Sequence, residues 1–314
     1  MLISKSKQIF FTIAKYALIA LSCWYLYDRI ATEKELIVKT FREFDQLSIF
    51  FIMIISLTGF AGNWLAESLK WKFITIPIAQ LSLKSAIIQT LSAHAIAVMT
   101  PQKIGEYGAR PFFFPKHQAK KVIAYTLINS SLQLAATLFF ALFGIAYFMI
   151  YFKEILLNAD YYPLIGLVLF SIISLLFFTR KKIRYKLKSF FQVKIDRNSV
   201  KISGILSLIR YLIFSHQYIL LLNIFYGDVL YVHALPMLFL LYLFISAVPS
   251  VFVFDIAVRG GLGVFFFGLL DIPASGVILT ATFMWLANAG LPALIGNVFV
   301  AKYKVKRQTK PFSA

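Results

Sequence analysis

The chain has 314 residues, 60% apolar and 17% aromatic but only 14% charged, whereas soluble domains average about 45–50% apolar and about 25% charged. So few charges cannot cover the surface of a soluble fold of this size, and the mean hydropathy of +0.79 points the same way, to an integral membrane protein. With 32 Lys and Arg against 13 Asp and Glu the net charge is +19. The basic residues gather between apolar runs, where membrane orientation and anionic head groups explain them better than nucleic acid does.

In chain order, Lys5 and Lys7 lead into an apolar run in the manner of a signal peptide. Lys15 interrupts that run and no small-x-small site follows, so the stretch reads as an uncleaved helix over 8–28. Cys23 is the single cysteine, which excludes an intramolecular disulfide and any multi-cysteine metal site. Further spans of about 20 residues are predicted at 47–66, 121–152, 162–179, 203–224 and 275–300. Two stretches are apolar but broken. The first, 85–118, is interrupted after Met99-Thr100-Pro101 and restarts near Gly105. The second, 234–271, is interrupted at Val248-Pro249-Ser250 and again at Arg259-Gly260-Gly261-Leu262-Gly263. Both read as re-entrant helical hairpins, with Pro101 and Pro249 as the helix-breaking residues.

Charge assigns the sides. Segment 180–201 holds nine Lys and Arg and one acid, Asp196, and the tail 301–314 holds five more basic residues. Basic segments stay inside, which places the N-terminus, 67–84, 180–201 and the C-terminus in the cytoplasm and the charge-balanced loop 29–46 outside. Parity then opens the first hairpin to the cytoplasm and the second to the exterior. The expected fold is an all-α polytopic membrane protein of the cell membrane. It has six full spans plus two re-entrant hairpins in one integral membrane domain, 1–314, made of two inverted repeats at about 8–152 and 162–300. The spacing from first helix to break supports the repeat, at 97 residues from 8 to 105 and 98 from 162 to 260. Secondary transporters have this layout; eight plain crossings form the competing reading.

An ionisable group in hydrocarbon costs about 2.5–3.5 kcal/mol, so each should be paired or functional. Glu106/Arg110 and Asp255/Arg259 are both acid-then-base at i, i+4, which puts each pair on one helix face. Either they are internal salt bridges that ease insertion, or they line a polar site between the halves. Broken backbone at membrane depth marks a cavity, and the N–H groups of Gly105, Gly260, Gly261 and Gly263 would let an anion approach closely. A lipid phosphate held by Arg110 or Arg259 suits this set. His94 and His216 are candidates for proton relay or for local hydrogen bonds. No histidine spacing suggests a metal, and no cofactor is expected.

The run Thr100-Pro101-Gln102-Lys103-Ile104-Gly105-Glu106-Tyr107-Gly108-Ala109-Arg110 resembles the P-G-G-x-G-E-x-x-R signature of the lysylphosphatidylglycerol synthase transmembrane, or flippase-like, family. Val248-Pro249 followed by Arg259-Gly260-Gly261-Leu262-Gly263 resembles its second signature. Gln102-Lys103 stand where that family has glycines, and Val264-Phe265-Phe266 replaces its Arg-Glu, with Asp255 as the substitute acid. The resemblance implies a membrane domain that moves or accommodates phospholipid, without the soluble synthase domain. The expected function is therefore a lipid transporter or flippase-like protein binding an anionic (phospho)lipid head group, and not an enzyme. The alternative is a non-transporting accessory or scaffold for a lipid- or glycan-modifying enzyme, or a partner of a membrane-embedded glycosyl- or aminoacyl-transferase. A protein partner or homo-oligomer fits either reading.

Overall fold

The computed structural model describes residues 44–100, 103–152, 196–227, 229–248 and 252–302, together with isolated helical positions between 24 and 38. Most of the expected helix at 8–28, all of that at 162–179, the basic loop before Asp196, Pro101, Pro249 and the tail beyond Lys302 lie outside the described residues. Among the described residues there is no strand. The helices are α1 Gln46–Ile74, α2 Leu83–Ala97, the short α3 Gly105–Ala109, α4 Ala119–Tyr151 and α5 Arg197–Tyr226. They continue with α6 Tyr231–Ala247, α7 Phe252–Gly268, α8 Ala274–Trp285 and α9 Leu291–Lys302.

Four stretches are long and apolar enough to cross a membrane: Gln46–Ile74, Lys116–Tyr151, Arg197–Tyr226 and Ala274–Lys302. At about 1.5 Å per residue each exceeds the ~30 Å of hydrocarbon, so each can span it. Two of these starts, and that of α2, are chemically marked. Asp45 and Asp196 accept the backbone N–H of Ser48 and Ser199, both at 2.8 Å, and Ser82 caps α2 through Ser85 N–H. The hydrogen bonds from Ser48 hold the Asp45 carboxyl below the usual carboxylate range. Phe50, Phe51, Leu57, Phe139, Phe143 and Leu294 are exposed on the helix exteriors, a surface that water would penalise and lipid accepts.

Packing pairs the elements α1 with α5, α2 with α9, α4 with α6, and α7 with both α6 and α8. The main apolar core joins Tyr211, Ile219 and Leu222 of α5 to Met237 and Leu238 of α6, Phe266 and Phe267 of α7, and Val277 of α8. A second core holds Trp71 and Ile74 of α1 against Phe113, Phe114 and Tyr125. The last span is not uniform: a π turn, Leu286–Gly290, joins α8 to α9. Pro292 has no N–H for the Asn288 carbonyl, which relaxes the turn before it.

The structure corrects two sequence expectations. First, α1 does not stop at 66 but runs to Ile74, so the supposed cytoplasmic stretch from 67 begins with two helical turns that bury Glu67 and Lys70. No breaker falls before Pro77, and both charges find partners inside. Second, Arg259-Gly260-Gly261-Leu262-Gly263 is no interruption: α7 runs unbroken from Phe252 to Gly268. A helical glycine costs only about 1 kcal/mol and lets neighbouring helices close in. A Cβ at Gly263 would meet Val277 Cγ1 at 3.0 Å and the Tyr218 hydroxyl at 3.3 Å. The helix α6 ends at Ala247, with Val248 in an extended conformation after it.

Candidate functional site

Glu67, on the inner face of α1, is the centre of a buried charge cluster. Its carboxylate meets Lys70 Nζ at 3.1 Å, Arg210 Nη1 at 3.0 Å and Arg110 Nη2 at 3.6 Å, and accepts Asn129 Nδ2–H at 2.7 Å. One carboxylate thus serves three cations from three elements. Gln133 of α4 ties two of them together, its Oε1 accepting from Lys70 Nζ at 3.1 Å and from Arg210 Nη1 at 3.2 Å. Arg110 is wholly buried; it pairs with Glu106, with Nε–H on Oε1 at 2.8 Å, and its guanidinium lies 3.8 Å above the Trp71 ring. Such a cluster holds only if desolvation is offset by several partners at once, and this one has them.

From Arg210 a chain of amides crosses the bundle. Arg210 Nε donates to Asn63 Oδ1 at 2.7 Å, Asn63 Nδ2 to Asn288 Oδ1 at 2.6 Å, Asn288 Nδ2 to Gln217 Oε1 at 2.9 Å, and Gln217 Nε2 to the Ser56 carbonyl at 3.3 Å. Gly59 makes room for the last link, since a Cβ there would sit 2.2 Å from Gln217 Cδ. Beside this chain His94 Nε2–H donates to the Ala289 carbonyl in the π turn at 3.2 Å and meets the Trp64 ring edge-on. The local-bond reading of His94 describes this contact.

Two adjoining lobes of a cavity open on this network. The smaller, about 340 Å³, is walled by Trp64, Glu67, Lys70, Thr90, His94, Glu106 and Asn129. The larger, about 540 Å³, reaches Tyr242, Asp255, Arg259, Trp285 and Asn288. Lys103, Gln133 and Arg210 line both lobes. The cavity mixes these polar groups with apolar walls such as Leu134, Leu241 and Ile245, the composition of a small-molecule site.

The first break is tightly built. Thr100 Oγ1 accepts the Gly105 N–H at 2.7 Å, and a Cβ at Gly105 would fall 2.9 Å from that oxygen and 3.1 Å from the Ile96 carbonyl. Between them Lys103 has φ +57°, a left-handed conformation that costs a non-glycine residue about 1–2 kcal/mol. Glycine would adopt it freely. Lys103 is exposed to the cavity, and its ammonium has no hydrogen bond or ion pair among the described residues.

The expected site residues thus divide. Glu106, Asp255 and Arg259 line the cavity, and Arg259 Nε donates to Asp255 Oδ2 at 2.7 Å. Arg110 and Gly105 sit behind its wall, one as a buried partner of Glu106 and Glu67, the other as a turn residue. Gly260, Gly261 and Gly263 lie within α7, where their N–H groups belong to the helix. Glu67, Lys70, Lys103, Arg210 and the Asn63–Asn288–Gln217 chain were missed as site residues. Two signals were available: Glu67-x-x-Lys70 continuing an apolar run, and Arg210 in the middle of one. Among the described residues no three His, Cys, Asp or Glu side chains are grouped to hold a metal ion. No family model, no curated protein and no solved structure matches the chain.

Proposed function

We propose that the protein is a lipid transporter, flippase-like in its action, that receives the anionic head group of a phospholipid in the two-lobed cavity. The observation that carries this reading is the pair of cavity-facing basic residues among apolar walls: among the described residues Lys103 has no partner and Arg259 pairs only with Asp255 of its own helix. Cations held at membrane depth attract an anion strongly because little water competes for them. An anion that arrives with acyl chains matches both kinds of wall. Arg259 offers a fork for phosphate and Lys103 a mobile point charge.

The finer architecture belongs to the same proposal: six crossings, two re-entrant hairpins and inverted repeats, with both termini cytoplasmic. In support, α2 has 15 residues and α6 and α7 have 17 each, so each is about 22–26 Å long, short of the hydrocarbon thickness. Each also packs on the element that follows its break. The resemblance of 100–110 to the flippase-like signature agrees with a lipid substrate. In a Cys23→Ala background, a cysteine at Lys201 should react with an impermeant thiol reagent only from the cytoplasm and one at Gly268 only from outside. Labelling of both from one side removes the inverted repeat.

The transport claim is tested in proteoliposomes carrying a fluorescent phosphatidylglycerol, by the rate at which the label becomes accessible from the opposite leaflet. Wild-type protein should accelerate the exchange, and Lys103→Gln with Arg259→Gln should return it to the protein-free rate. Equal rates in the two proteins contradict the assignment.

A further inference from the structure

We infer that the cavity selects a phosphate group carrying two or more negative charges, a phosphate monoester or a diphosphate, over the singly charged diester of an ordinary membrane phospholipid. This rests on the head-group reading above and names its substrate class. The cavity and the groups directly behind it hold five basic side chains, Lys70, Lys103, Arg110, Arg210 and Arg259, against three carboxylates, Glu67, Glu106 and Asp255. Two positive charges remain over among the described residues.

Their position is as telling as their number. Asp255 and Arg259 neutralise each other at 2.7 Å, and Glu106 faces Arg110. Glu67 must then serve both Lys70 and Arg210, at 3.1 and 3.0 Å, and offsets only one of them. The second surplus basic group is Lys103, which lines both lobes and so stands where they meet. A monoanion would leave one charge uncompensated at membrane depth, whereas a dianion balances the site. A phosphate approaching Lys103 also favours its protonated form.

The strained backbone singles out Lys103. A left-handed φ persists where its surroundings enforce it, and such outliers concentrate at ligand clamps. Here the strain sets a long basic side chain at the throat of the cavity, where glycine would relieve it and supply no charge.

The test is equilibrium binding to the full chain in non-ionic detergent at pH 8, where phosphate monoesters carry nearly two charges. The probes are phosphatidic acid, farnesyl diphosphate, phosphatidylglycerol, phosphatidylcholine and inorganic pyrophosphate. Phosphatidic acid and farnesyl diphosphate should bind at least about tenfold more tightly than phosphatidylglycerol, the scale of one well-placed charge interaction. Lys103→Gln should bring the ratio near unity and Lys103→Arg should retain it. Lys103→Gly should lose the preference while melting at a higher temperature than wild type, which separates selectivity from folding. Pyrophosphate binding as tightly as farnesyl diphosphate would support the charge rule with a soluble phosphate as its source, and much weaker binding would support it with a lipid. Equal affinity of wild type for phosphatidic acid and phosphatidylglycerol, or an unchanged ratio in Lys103→Gln, overturns the inference and leaves the head-group reading standing. Binding of no anionic lipid above phosphatidylcholine overturns both.

Discussion

The two charge clusters look alike in sequence, each announced by an acid and an arginine four residues apart, but they are physically different objects. Around Glu67 a single carboxylate with 9% side-chain exposure gathers Lys70, Arg110 and Arg210 and ties α1 to α4, α5 and the break after α2. Asp255 and Arg259, at 19% and 31% exposure, share one helix and face the cavity. The first is a tertiary fastening whose removal strands buried charges. The second joins two residues of one helix and remains accessible to a ligand. Lys103 stands between them. Burial and the number of elements joined, not the sequence motif, decide which pair holds the bundle and which stays open to the cavity.

Breaking the first cluster should give the largest effect. Glu67→Gln leaves Lys70 and Arg210 without a counter-charge and Arg110 with Glu106 alone, and should cost about 3–5 kcal/mol, read as a loss of the monodisperse folded peak in size-exclusion chromatography or a large fall in melting temperature. Arg110→Lys keeps the charge but removes the fork on Glu106 and the stack on Trp71. It should cost about 2–3 kcal/mol by thermal unfolding in detergent. Gly105→Ala forces a Cβ against Thr100 and the Ile96 carbonyl and should cost about 1–3 kcal/mol in the same assay. At the second cluster, a double-mutant cycle of Asp255→Asn and Arg259→Gln should find a coupling smaller than the loss in Glu67→Gln, since this pair joins only one helix. A coupling above that of the Glu67 cluster would reverse the comparison.

How much of this was legible follows from the range of each interaction. The described long spans were visible because hydropathy is additive along the chain, and Glu106/Arg110 and Asp255/Arg259 because i, i+4 contacts are local. The end of α1 was misplaced because charges at 67 and 70 read as a water-facing loop, when their partners come from α3, α4 and α5. The break assigned to Gly260-Gly261 shows the converse, since glycine marks close helix packing in lipid as readily as it marks a turn. Lys103 could be singled out as a departure from a glycine-rich signature. Its left-handed backbone and its place between the lobes required the fold.

The account rests on the cavity as a site for an anionic lipid, and native mass spectrometry of the protein extracted from its membrane measures that occupant directly. The prediction is a bound anionic lipid that survives activation energies sufficient to strip phosphatidylcholine, and that disappears in Lys103→Gln with Arg259→Gln while the variant stays folded. An identical lipid profile in wild type and variant, or a preference for zwitterionic lipid, would contradict it.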